Sequence, residues 1–285
     1  MKNSKALFIL PLMIAALALV AAALGVFWQG SGEPIEFTSV FGETYTLQGR
    51  GVYQHDTINY AAQAKSQDII TLFLGIPLLI TGVILNKKGT LRGRLILTGA
   101  LGYFLYTYTS LVFLAAYNSF FLIYVALFSM SLFTFILAMM GLKPDQIAER
   151  VTRRFPRRWV ITFLVILSLF LLMAWLGLIV PSLTNGGAPS GLETYTTLVI
   201  QALDLGIIVP VSLLSAYLLW KKQAWGYALS FVVMLKGSLM GAAIIAMIVG
   251  QALAGVPFDP VMAAIFALIC LCGIGLAAVM LKNIR

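Results

Sequence analysis

Charge is scarce in these 285 residues. Only 10% are Asp, Glu, Lys or Arg, where a soluble domain carries roughly 25%. With 61% hydrophobic residues, the chain holds more apolar surface than a soluble core of its size can bury, so the bilayer must be the solvent for most of it. Histidine occurs once and cysteine twice. His55 stands beside Asp56, but adjacent side chains diverge and no second histidine completes a metal site, so neither metal nor cofactor is implied. Cys270 and Cys272 are two apart in the last apolar run and point to different sides of a helix, which excludes a disulfide between them. H-E-x-x-H, G-x-S-x-G and P-loop motifs are absent. An intramembrane aspartyl protease needs two facing aspartates, and only Asp204 lies deep in a span. A retinal Schiff base on Lys236 with Asp204 as counter-ion fits neither an eight-span count nor a lysine in the penultimate span. The chain does not read as an enzyme, and a lipid-modifying activity lacks an acid/base pair.

What is present is apolar length. A span needs roughly 20 apolar residues. Eight segments qualify, at about 6–28, 67–86, 95–115, 118–141, 159–181, 195–220, 224–250 and 261–281. The first follows Lys2 and Lys5 and resembles a signal peptide with Ala21 and Ala23 as an A-x-A site. Its apolar stretch exceeds the roughly 7–15 residues of a secretory core, so it is expected to remain as a helix.

The net charge of +9 suggests nucleic acid only until its distribution is examined. The basic residues form short clusters at span ends, with no extended basic face, so no nucleic-acid partner is expected. With eight spans, 16 of the 19 Lys and Arg fall on one side, as at Lys87, Lys88, Arg92 and Arg94, or Arg150 to Arg158. The positive-inside rule makes that side cytoplasmic, with both termini inside. The expected fold is therefore an all-α membrane protein, an eight-span transmembrane helical bundle, N-in/C-in, forming one domain over 1–285. Its expected location is the cell (cytoplasmic) membrane, with the lipid bilayer as its partner.

Residues 29–67 form an external cap. Segments 35–40 and 44–47 alternate loosely around Phe41-Gly42-Glu43 and predict a short β-hairpin. Asp56 reads as the N-cap of a helix running into span two. No internal repeat is visible in the residues.

Two ionisable residues sit deep in spans, where each costs roughly 2.5–3.5 kcal/mol to insert. Asp204 lies roughly 13 Å and Lys236 roughly 21 Å from the outer ends of their spans, at about 1.5 Å per residue. A tight turn joins those spans, so the two can pair. The bland reading is a buried ion pair that fixes helix register; the other is a solute or proton site. Gln201 precedes Asp204 by one turn, and Pro210 removes the hydrogen bond to the Gly206 carbonyl, inviting a kink. In span three Tyr103, Tyr106, Thr107 and Ser110 share one face. The candidate solute site is thus Asp204, Lys236, Gln201, Tyr106 and Thr107, for a small solute or ion. Asp56 and Asp68 are candidates for an external mouth that draws cations inward. The alternative functions are a non-catalytic sensor or assembly subunit acting through the cap and, third, a membrane-embedded lipid-modifying enzyme.

Gly51-Val52-Tyr53 with Asp56-Thr57, Ala61-Ala62-Gln63, Gln67-Asp68 and Gly75-Ile76-Pro77-Leu78-Leu79 resembles a pattern in uncharacterised bacterial multi-pass membrane proteins. Gly102-Tyr103-Phe104-Leu105-Tyr106 and Tyr117-Asn118 are similar too. The resemblance implies an architecture and carries no activity or site residue with it.

Overall fold

A computed structural model describes residues 5–257 and 259–285. Within them, eight helical spans are long and apolar enough to cross a bilayer. The first is α1 (Ala6–Phe27). The second runs Ile58–Lys87 and consists of α2 (Ile58–Ile70), a π-helical turn (Thr71–Gly75) and α3 (Ile76–Lys87). Then follow α4 (Leu91–Phe113), α5 (Phe121–Met140), a short surface helix α6 (Pro144–Arg150) and α7 (Arg157–Asn185). The sixth span is α8 (Val199–Leu203), a second π-helical turn (Asp204–Ile208) and α9 (Val209–Trp220). The last two are α10 (Ala224–Leu253) and α11 (Pro260–Lys282).

Between α1 and α2 lies the expected hairpin, β1 (Ile35–Thr38) paired antiparallel with β2 (Thr44–Leu47), Ile35 opposite Leu47. Span two starts nine residues earlier than apolarity alone predicts, and its first three turns pack on α10 and α1. Its N-cap is Thr57, whose hydroxyl accepts from the Tyr60 amide at 3.1 Å. Asp56, expected in that role, instead turns inward.

The two ends of the bundle are tied by hydrogen bonds. At one end Arg92 donates to the Ile284 carbonyl (2.6 Å), Arg94 to the Gly141 carbonyl, and the Arg285 amide to the Arg150 carbonyl. The basic turns therefore share one face, as an even number of crossings requires. At the other end, Asp56 accepts from the Ala116 amide and the Tyr195 hydroxyl.

The architecture contains a repeat that the residues do not announce. Moving 133 positions along the chain (204 less 71) carries the first π turn onto the second, α3 onto α9, and the start of α4 onto the start of α10. It also carries Gly89, with φ 74°, onto Lys222, with φ 57°. Gly93 presses on the backbone of Leu85 and Asn86; its counterpart Gly226 presses on Leu218 and Leu219, and a Cβ at either would overlap those main chains. Packing repeats as well: α3 lies on α4 as α9 lies on α10, α4 on α5 as α10 on α11, and α1 on α3 as α7 on α9. Across the halves, α10 packs on α2 and α4 touches α8, while α4 and α10 cross each other. At that crossing Gly102 lies against the Lys236 stem, and the residue 133 positions on from Gly102 is Leu235. Equivalent helices meeting within one residue of equivalent positions imply a pseudo-twofold axis through the crossing. Each half holds four spans, so the halves run in the same direction and the axis lies along the membrane normal, the arrangement of parallel repeats.

Candidate functional site

A cavity of about 480 Å³ opens between the halves, walled by α2 and α4 on one side and by α7, α8, α10 and α11 on the other. That volume lies in the range of small-molecule pockets, roughly 300–1,000 Å³. Its walls are mainly apolar, with Phe163, Phe170, Met234, Met240, Ile244 and Phe266 among them. Its polar groups are few and convergent. Asp204 opens the second π turn, where the widened turn projects the carboxylate into the cavity, and Pro210 follows six residues later.

Asp204 and Lys236 do face one cavity, but they do not meet as a direct ion pair among the described residues. Tyr106 stands between them. Its hydroxyl donates to Asp204 Oδ1 at 2.7 Å, and its ring face lies 3.7 Å from Lys236 Nζ. The indole N–H of Trp175 donates to Asp204 Oδ2 at 3.0 Å. Both carboxylate oxygens thus have charge-assisted donors, and the ammonium rests on an aromatic quadrupole. The arrangement suits a polar ligand: displacing the Tyr106 or Trp175 contact frees an acceptor pair and a cation at the same place. Trp175 escapes a sequence reading because a tryptophan in an apolar run resembles belt or core. Six residues from the end of the expected span 159–181, it carried no signal in the sequence that set it apart from a belt residue.

The other candidates fall elsewhere. Gln201 sits on α8 and is not among the cavity-lining residues. Thr107 is buried, accepting from Gln67 Nε2 at 2.7 Å; it is Gln67 that reaches the cavity. Tyr103 turns away to Thr71, 2.9 Å between hydroxyls. By the 133-residue shift, Thr71 and Tyr103 occupy the places of Asp204 and Lys236. The repeat therefore uses one pair of positions twice: a neutral hydroxyl pair in a filled half, and a charged pair in an open one.

The expected external mouth is not an exposed feature. Asp56 and Asp68 are 0% and 4% exposed. The segment before α2 folds Tyr53 down over Asp68, which accepts from its hydroxyl at 2.6 Å, and α1 approaches with Gly25. Asp56 bridges the C-terminal end of α4 and the segment before α8 through Ala116 and Tyr195. Burial is the main force on this carboxyl, pushing it up to about 7 against the two hydrogen bonds that favour its charge. Nearby, Glu193 accepts from Thr57 and Asn59, and Asn59 accepts from Gln251 at 2.7 Å and Gln63 at 3.1 Å. Gln63 and Gln251 line the cavity, so this network borders its cap end, which the exposed Asp259 before α11 also lines. Among the described residues no group of three or more His, Cys, Asp or Glu could hold a metal.

Eight apolar spans around such a cavity define a multi-pass membrane protein. No family model, curated protein or solved structure matches the chain.

Proposed function

We propose that this protein binds a small solute in the cavity between its halves and moves it across the cell membrane, with Asp204, Tyr106, Lys236 and Trp175 holding the polar part of the ligand. The observation that carries this reading is the Lys236–Tyr106–Asp204 relay. Charges buried in a bilayer are expensive, and a purely architectural pair would close directly instead of standing apart at a cavity wall. The π turn and Pro210 support it, since broken helices beside intramembrane sites are typical of secondary transporters. The relay carries no net charge, which favours a neutral or zwitterionic solute over a bare ion.

Asp204→Asn alone leaves the Lys236 ammonium without its counter-charge and should lower thermal stability; breaking one partner of a buried pair costs about 3–5 kcal/mol. A double Asp204→Asn, Lys236→Met variant should regain most of that loss. Solute binding to the folded state raises the apparent melting temperature. A ligand that stabilises the wild type in detergent should therefore leave the double variant's melting temperature unmoved. If both proteins respond equally to it, the relay is architectural and the reading fails.

A second reading makes the cap the working part, as a sensor or assembly surface. The Asp56–Tyr195 and Glu193–Thr57 contacts that fasten it to the loop before α8 favour this. Exchanging residues 29–67 for a neutral linker would then abolish function while Asp204 variants left it intact.

A further inference from the structure

The pseudo-twofold axis pairs two seams that ought to be alike, and they are not. In the first half α1 lies along α5; in the second the equivalent helix α7 barely touches α11. The closed seam has small residues available: α1 buries Ala15, Ala18, Ala21 and Ala22 within the bundle. Behind it the space is filled by Tyr103, Phe104, Tyr108 and Tyr124, all buried. At the equivalent place in the second half, α7 and α11 send Phe163, Phe170, Trp175, Met262 and Phe266 to the wall of an open cavity. The described contact that bridges the two helices through rings is Phe170 on Phe266, edge to face, with centroids 4.8 Å apart. Both helices are otherwise lipid-facing: α7 and α11 are the two least buried spans.

We propose that the α7–α11 seam is a lateral portal, gated by Phe170 and Phe266, and that the solute of the Asp204 site is an amphiphile that reaches it from the bilayer. This rests on the preceding reading of the cavity and adds the class of ligand and its route. A hydrocarbon tail matches the aromatic and methionine walls. A neutral or zwitterionic head matches a site where an acid and an amine stand a tyrosine apart. A water-soluble solute would need an aqueous way in from the cap end, where Gln251, Asn59, Gln63 and Glu193 are hydrogen-bonded across the approach. A lipid-borne ligand needs these two rings to part, on the stretch of the seam beyond Phe163, whose ring lies against Gly273.

The test uses the full chain reconstituted in phosphatidylcholine vesicles whose acyl chains carry bromine, a short-range quencher of tryptophan. The Trp175 component of quenching is the difference between the protein and its Trp175→Phe variant. Phe170→Cys and Phe266→Cys are introduced with Cys270→Ala and Cys272→Ala, and bridged by a cleavable bifunctional thiol reagent. Bridging should abolish the Trp175 component, and cleavage of the bridge should restore it. Quenching that persists in the bridged protein, or a Trp175 component absent from the start, overturns the portal. A thiol pair placed across the α1–α5 seam should change nothing, and if it suppresses quenching equally the effect is general stiffening and the portal is again overturned. The site has its own readout. If quenching depends on the bridge but Asp204→Asn leaves binding of a nitroxide-labelled zwitterionic monoacyl lipid unchanged, the portal stands and the assignment of the polar site falls.

Discussion

Asp56 shows how a single residue can be misread from sequence and still matter. Adjacent to a helix start and surrounded by polar residues, it fits an N-cap, but Thr57 supplies the cap and Asp56 is carried inward to bind the Ala116 amide and the Tyr195 hydroxyl. Among the described residues its Oδ2 has no hydrogen-bond partner. Burial dominates, so its folded pKa of about 7 lies above the ordinary 3.8. A carboxyl raised by folding stabilises the fold fully below its ordinary value, and that contribution is lost as pH rises to the folded value. Over that window, about 4 to 7, the fastening between cap and the 186–198 segment should weaken with rising pH. The protection factors of amides 186–198 in detergent, taken against their base-catalysed intrinsic rates, should fall across it, and Asp56→Asn should flatten that profile. The facing groups, Glu193 and Tyr195, leave the direction intact: Glu193 adds to the upward push, and the Tyr195 hydroxyl is itself pushed upward, chiefly by burial. An unchanged profile in Asp56→Asn would assign the effect to another group. Tyr106→Phe is the matching change at the cavity. It keeps the ring under Lys236 and deletes one donor to Asp204, a loss of about 1–3 kcal/mol for a buried acceptor. Thermal unfolding should show it, with Lys236 still needed for ligand response.

Among the elements, the two π turns explain why the spans were readable and their kinship was not. Apolar length and basic turns follow from the bilayer itself, so the eight spans, the cap hairpin and the shared basic face were legible. The repeat was not, because lipid accepts almost any apolar residue at most positions and identity drifts freely there. Between residues 71–113 and their counterparts, only Leu72 and Leu205, Pro77 and Pro210, Leu85 and Leu218, Lys88 and Lys221, and Gly93 and Gly226 agree. Pro77 and Pro210 each follow a π turn, where a missing amide is already accommodated, and Gly93 and Gly226 stand where main chains touch. Those two glycines yield a paired prediction. Gly93→Ala and Gly226→Ala each force a methyl against the preceding helix backbone, an overpacking cost of about 1–3 kcal/mol. The two variants should lose similar amounts of thermal stability, since they disturb the same joint. Gly177→Ala, on α7 with open space around it, should lose none. Asp204 and Lys236 were legible as candidates for the opposite reason: lipid does not tolerate them idly, and both stand at the cavity wall. Tyr106 was read on a polar stripe, but its place between the two charges depends on which helices cross at the axis, and a local pattern carries no such information.

At the scale of the molecule, parallel halves fix the relation of the termini before any sidedness is assigned. Each half crosses four times, so its first and last residues lie on the same face, and two such halves in series put both chain ends together. The Arg285 amide on the Arg150 carbonyl and the Thr152 hydroxyl on Asn283, 2.7 Å away, join the midpoint of the chain to its C-terminus on that face. The same face carries Lys87, Arg92, Arg94, Arg150, Lys221 and Lys282, whereas the opposite face carries the hairpin with Glu33, Glu36 and Glu43. Basic residues flanking short loops are retained in the cytoplasm, so that face should be cytoplasmic. A reporter that fluoresces only in the cytoplasm should therefore light up when fused after Arg285 and when inserted at residue 152. It should stay dark when inserted at Gly42, the hairpin tip, where nothing packs against the glycine and an insertion should be tolerated. Signal from the hairpin fusion together with silence at Arg285 would reverse the orientation and leave the fold intact. Disagreement between residue 152 and Arg285 would be more serious, because a half with an odd number of crossings cannot share an axis along the membrane normal with its partner.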